Sequence, residues 1–168
     1  MPKRARCPYC DRLFSRDVLD EHIQKCRMKS LKARGVTTRR KKRNVVVDGN
    51  NIAYHLAPNR KPLVKNLILA NNSLTQAGYR PTYVISNALF HTIENLEALN
   101  TFINNAEVII APRRTNDDLK IIQIAQERNV DIISNDRFLD WIDRYPWIPD
   151  RLKRYRMTPT GLILSEGT

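Results

Sequence analysis

The chain has 168 residues, a formal net charge of +12 and 42% hydrophobic residues, a length that admits one ordinary domain plus a small module. No apolar run is long enough to span a bilayer, and the N-terminus MPKRARCPYC shows no secretory h-region, so an intracellular protein with no membrane partner is expected. The charge is uneven: residues 1–43 carry 15 Lys+Arg against 4 Asp+Glu, residues 44–168 carry 14 against 13, and a cationic arm on a near-neutral domain points to nucleic acid before an anionic membrane surface, with a solubilising tail as the plainer alternative.

The three cysteines all fall within the first 26 residues, an odd number that suits a metal site better than disulfides. Cys7-Pro8-Tyr9-Cys10 offers two thiolates from one turn, and His22 and Cys26 face the same way at i and i+4 on a helix. Together they make a closed tetrahedral zinc site, structural because no position is left open. Phe14 and Leu19 lie between the ligand pairs, where so small a module needs its core, and Ser15 with Asp17 suits a helix start. The pattern resembles C2HC zinc fingers, and its basic neighbours lean toward nucleic acid.

Arg27 to Arg43 has nine basic residues and no acid. It reads as a linker that orders on phosphates, with Arg40, Lys41, Lys42 and Arg43 as RNA contacts. In a nucleated cell the five residues Arg39-Arg40-Lys41-Lys42-Arg43 could instead be an import signal, so cytoplasm and nucleus both stay open. The expected organisation is a finger over residues 1–27, a basic linker over 28–43 and a domain over 44–168.

From Asn44 the chain alternates strand and helix, as in a parallel sheet covered by helices. Val45-Val46-Val47 is a buried strand, Pro62–Ala77 a helix stopped by Gly78, and Thr82–Ser86 a strand. Glu94–Asn104 is a helix, Glu107–Ile110 a strand, Asn116–Arg128 a helix and Asp131–Ser134 a strand. Phe138–Trp141 and Pro149–Arg154 read as short helices, and Tyr155–Leu164 as a hairpin around Pro159-Thr160-Gly161.

Five acids fall at the ends of these elements. Asp48 ends the first strand of the domain, Asp117 and Asp118 open a helix, and Asp136 follows the next strand, with Asp140 four residues on. A short helix would turn Asp136 and Asp140 to one side, and sites in open α/β sheets form outside the carboxyl ends of the strands. Two carboxylates about 4 Å apart repel by roughly 4 kcal/mol at an effective dielectric near 20. Such a cluster must stay partly protonated, recruit cations from side chains, or hold a divalent ion. Oxygen ligands favour Mg²⁺ or Mn²⁺, and a hard cation in a basic protein suggests metal-assisted attack on a phosphodiester.

With VVVDGNN, TNDD and SND in this order on alternating elements, the chain resembles the NYN-type, PIN-like ribonucleases, and among them the regnase-type endoribonucleases of mRNA decay. The likeness runs from about Asn44 to Leu164. It implies a PIN-like α/β fold, Mg²⁺-dependent cleavage of single-stranded or looped RNA, and site residues at Asp48, Asn51, Asp117, Asp118, Asp136 and Asp140. That branch carries a CCCH finger after the nuclease domain, whereas a C2HC finger precedes it here, so the family's substrate and partner rules are not carried over.

Each residue also has a plainer role. Asp48 could simply start a turn with Gly49; Asp117 and Asp118 could favour the helix dipole behind an Asn116 cap; Asp136 could cap a helix and Asp140 face solvent. The expectation is nevertheless an endoribonuclease in which Asp48, Asp117, Asp118 and Asp136 hold Mg²⁺ or Mn²⁺. Asp140 would be an outer ligand or a water-positioning group, and Asn51 an orienter of a carboxylate or water. The attack would leave a 5′-phosphate and a 3′-hydroxyl. Arg60, Lys61, Arg113, Arg114 and Arg137 flank the acids as candidate phosphate contacts. The rival readings are a non-catalytic RNA-binding adaptor and a zinc-finger factor associated with DNA or the ribosome. RNA is the expected partner, and monomer and homodimer are both left open.

Overall fold

The computed structural model describes residues 4–35 and 42–165, with residues 28–35 described as backbone alone. The chain divides into two compact units, Met1–Arg40 and Lys41–Thr168.

In the first unit, strands β1 (Arg4–Arg6) and β2 (Leu13–Ser15) pair antiparallel, Arg4 opposite Ser15 and Arg6 opposite Leu13. The turn between them carries Cys7 and Cys10 and is closed by the Cys7 and Asp11 N–H groups, each 2.9 Å from its carbonyl acceptor. Helix α1 (Arg16–Gly35) follows at once with Asp17 in its first turn, where a carboxylate suits the helix dipole. It carries His22 and Cys26 and runs past the expected finger boundary at residue 27. Phe14 stacks on the His22 ring at 3.8 Å between centroids, so the apolar residue between the ligand pairs braces one of them.

The second unit is built on a five-stranded sheet in the order β5-β4-β3-β6-β7, every pairing parallel. The strands are β3 (Arg43–Asp48), β4 (Tyr79–Ser86), β5 (Glu107–Ala111), β6 (Asp131–Ile133) and β7 (Leu152–Lys153). Helices α3 (Val64–Gln76) and α5 (Leu96–Asn105) cover one face, and α6 (Asp117–Arg128) covers the other. Alternation along β3 divides the core between them: Val45 and Val47 pack with Leu67, Leu74, Leu99 and Phe102, while Val46 packs with Ile121, Ile122 and Ala125. This is the expected three-layer α/β domain with a central parallel sheet. Three short helices, α2 (Gly49–Ala53), α4 (Leu89–Thr92) and α7 (Ile148–Arg151), and a hairpin of β8 (Tyr155–Thr158) and β9 (Gly161–Leu164) complete it.

Three local expectations need correction. Strand β4 starts at Tyr79 rather than Thr82 and runs through Pro81. Proline is tolerated there because β5 pairing begins only at Thr82, so Pro81 has a sheet neighbour on the β3 side alone. The helix expected over Pro149–Arg154 stops at Arg151, and Leu152–Lys153 joins the sheet edge beside Ile132 and Ile133. The helix expected from Phe138 is one 3₁₀ turn, Leu139–Trp141, entered through Phe138 in the left-handed region at φ 52°. That break removes the helical i, i+4 relation between Asp136 and Asp140.

Candidate active site

All five strands point the same way, so their C-terminal ends form one edge, and the acids gather there. Asp48 is the last residue of the central strand and is 6% exposed. Gly49 then turns the chain into α2 under β4, so close that a Cβ would stand 2.5 Å from Ile85 Cγ2 and 2.9 Å from the Val84 carbonyl oxygen. Only glycine fits this approach. The Asp48 carboxylate caps the turn, Oδ1 accepting from the Asn51 N–H at 2.9 Å, while Oδ2 accepts from the buried Ser134 hydroxyl at 2.8 Å. Burial pushes Asp48 up to about 6 from 3.8; those two hydrogen bonds oppose the rise, and the charges of Asp118 and Asp136 add to it.

Asp117 and Asp118 are half-buried at the start of α6, with Asn116 as the cap accepting from the Asp118 and Leu119 N–H groups. Asp117 is raised by burial, against a hydrogen bond from Asn50 Nδ2 to its Oδ2 at 2.9 Å. Asp118 is raised by burial and then by the charges of Asp136 and Asp117, with Asp140 adding least and Trp141 opposing. Asp136 is exposed just past β6; its N–H donates to Ser134 Oγ and its Oδ1 accepts from the Phe138 N–H. The fold thus brings Asp118 within electrostatic reach of Asp117, Asp136 and Asp140, and Asp48 within reach of Asp118 and Asp136, with Asp140 exposed.

Asn51 orients a carboxylate through its main-chain N–H, whereas its side chain is engaged elsewhere. Its Oδ1 accepts from the Asn135 N–H at 3.0 Å and from the Tyr155 hydroxyl at 2.7 Å. Asn135 Oδ1 in turn accepts from the Tyr155 N–H at 3.1 Å, which ties the start of β8 to the acidic edge. Burial, followed by the charge of Asp48, holds the Tyr155 hydroxyl well above its ordinary range, so it stays a donor at neutral pH. Sequence reasoning passed over Asn50, Ser134, Asn135 and Tyr155. Ser134 and Asn135 stood in the SND stretch and Asn50 beside Asn51; nothing local marked Tyr155.

The basic residues divide by place. A groove of about 460 Å³ runs from Asp117 along Arg113, Arg114, His91, Asn87 and Ser86, with Arg113 and Arg114 exposed. Arg60 and Arg137 are exposed, and Lys61 is held by Glu94 at 2.6 Å. Lys42 and Arg43 sit at the N-terminal end of β3, so about 16 Å of strand separates Arg43 from Asp48. Arg40 and Lys41 lie outside the described residues.

Two donor sets differ in how they suit a metal. The ligand atoms of Cys7, Cys10, His22 and Cys26 all lie within 4.8 Å of one another, a closed Cys₃His set of the kind structural zinc takes. Among the described residues no trio of the carboxylates closes to that spacing. Carboxylate oxygens suit a hard divalent ion that keeps part of its water shell.

A family model described as the Zc3h12a-like Ribonuclease NYN domain matches residues 41–160. The crystal structure of nuclear proteinaceous RNase P 2 (PRORP2) from A. thaliana superposes with a TM-score of 0.60 at 18% identity, over 95% of this chain and 40% of that one. A second structure of Arabidopsis thaliana nuclear protein-only RNase P 2 gives 0.57 at 16% identity, over 89% of this chain and 35% of that one. At those identities the likeness shows the fold, and this chain spans less than half the length of PRORP2. No curated protein sequence matches. The strand-end aspartate, the acid pair opening α6 and the SND turn all fall inside the matched span, and the chain belongs to the Zc3h12a-like ribonuclease NYN domain family.

Proposed function

We propose that the second unit is a divalent-metal-dependent endoribonuclease and that the first unit, with the basic arm, adds affinity for RNA. One observation carries the reading: four carboxylates from three separate segments meet at one sheet edge, and Asp48, Asp117 and Asp118 are all raised there. A domain that only bound RNA would gain nothing from holding these acids together, since burial raises Asp48, Asp117 and Asp118 and neighbouring carboxylates raise Asp48 and Asp118 further. The family's ribonuclease character supports the same reading.

Asp48, Asp117, Asp118 and Asp136 would hold Mg²⁺ or Mn²⁺, directly or through water. A bound divalent ion supplies a water of lowered pKa and neutralises charge on the phosphodiester. The protein's own part is positional. Ser134 and the Asn51 N–H fix Asp48, and Asn116 fixes the turn that presents Asp117 and Asp118. Arg113 and Arg114 line the groove leading from Asp117, where guanidinium groups suit phosphate oxygens. Hydrolysis would leave a 5′-phosphate and a 3′-hydroxyl. Cys7, Cys10, His22 and Cys26 would hold one structural zinc.

The test is cleavage of an end-labelled structured RNA by the wild type and by Asp117→Asn/Asp118→Asn, each with Mg²⁺, with Mn²⁺ and without either. Wild-type cutting that needs the cation and is lost in the variant, with RNA binding and folding retained, is the expected result. Tight binding without cutting across several RNA types would favour a binding adaptor instead.

A further inference from the structure

We infer that Asn50 is a positioning residue that sets where Asp117 stands in the acidic cluster, an assignment that rests on the metal-dependent reading above. The geometry begins with strand register. Asp48 is the register partner of Val84, and two residues further along Asn50 would face Ser86. Strand β3 stops at Asp48 and the chain turns into α2, so β4 outlasts its neighbour by two residues at this edge. The Ser86 N–H would then lack its strand partner. Asn50 Oδ1 accepts from it at 3.1 Å, so the side chain takes the place of the missing strand at the matching register position.

That bond fixes which end of the amide is which, because only the oxygen can accept from an N–H. The Nδ2 end is therefore turned to Asp117 and donates to Oδ2 at 2.9 Å, across 67 residues of sequence. Among the described residues Asp117 Oδ1 has no hydrogen-bond partner, so one oxygen is held and the other is left to a cation or its water. Asn50 thus links three elements: α2, which carries it, the end of β4, and the first turn of α6. Gly49 keeps this linker short by letting α2 lie against Val84 and Ile85. A carboxylate that serves a metal needs its orientation set by a hydrogen bond of this kind.

Two variants separate this role from a structural one. Asn50→Asp keeps the size and the acceptor for the Ser86 N–H but has no donor for Asp117, whereas Asn50→Ala loses both bonds. The expected result is a fall in kcat of at least about tenfold in both variants, with KM for RNA changed less than about threefold, the loss associated with a misplaced reacting group or metal partner. Asn50→Asp also sets a carboxylate against Asp117, so its thermal midpoint should fall below wild type without a cation and recover when Mg²⁺ is added, whereas Asn50→Ala carries no such charge. In titrations followed by electron paramagnetic resonance, Asn50→Ala should bind Mn²⁺ about tenfold more weakly than wild type. Wild-type kcat in Asn50→Asp, or wild-type Mn²⁺ affinity in Asn50→Ala, would overturn the inference and reduce Asn50 to an edge-capping residue. If the wild type itself neither binds Mn²⁺ nor cuts RNA, the metal-dependent reading falls and takes this inference with it.

Discussion

The Ser134 hydroxyl donates to Asp48 Oδ2 at 2.8 Å, joining residues 86 positions apart at the ends of neighbouring strands. Ser134 is fully buried and also accepts the Asp136 N–H at 3.1 Å, so one hydroxyl holds the innermost acid and shapes the turn that carries another. Ser134→Ala would leave Asp48 Oδ2 buried without its donor, and stripping a partner from a buried charged group costs about 2 kcal/mol. Urea unfolding at pH 8 should show that loss. A stability equal to wild type would mean that solvent reaches Oδ2 and that Asp48 is less confined than its 6% exposure indicates.

The raised Asp48 makes stability depend on pH with a definite sign. A carboxyl at about 6 when folded, against 3.8 ordinarily, binds its proton more tightly in the folded chain. Its ionisation therefore penalises the folded state above pH 6, by at most about 3 kcal/mol for a shift of this size, and the penalty fades as pH falls through 6 toward 3.8. Asp48→Asn keeps an acceptor for the Asn51 N–H and removes the charge. Without added Mg²⁺ it should be more stable than wild type at pH 8 and lose that advantage near pH 4. Adding Mg²⁺ should narrow the gap at pH 8 by stabilising wild type alone. Thermal melts across that range check all three points, and a pH-independent difference between the two proteins would refute the cause.

Much of this edge could be read from the chain because its signals are local. Three valines before Asp48 mark a buried strand, Asn116 before two acids marks a helix start, and SND follows an apolar run. What stayed hidden depends on relationships between distant residues. The place of Asn50 follows from the register of β3 on β4, and that of Tyr155 from a hydroxyl meeting Asn51 across 104 residues. Spacing alone misled at Asp136 and Asp140, because Phe138 takes a left-handed φ that breaks the helix between them. Strand β7 has two residues, too few to show a period of two, and it forms because a parallel neighbour offers Ile132 and Ile133.

The basic arm and the domain should contribute differently to RNA binding. Nine basic residues lie between Arg27 and Arg43, whereas residues 44–168 are nearly neutral. Each phosphate neutralised on a single strand steepens the fall of log K with log salt by about 0.7. Truncation should stop before Lys42, because the Arg43 N–H donates to the Gly78 carbonyl at 3.0 Å and anchors the start of β3. Removing residues 1–41 takes away seven of the nine cations. If about half of the seven engage phosphates, the slope should flatten by about 2.5. Cleavage at saturating RNA should change little, since the acids all sit in the retained unit. Binding isotherms at several salt concentrations measure the slope. An unchanged slope after truncation would place the phosphate contacts on the domain itself, with Arg113 and Arg114 the first residues to replace.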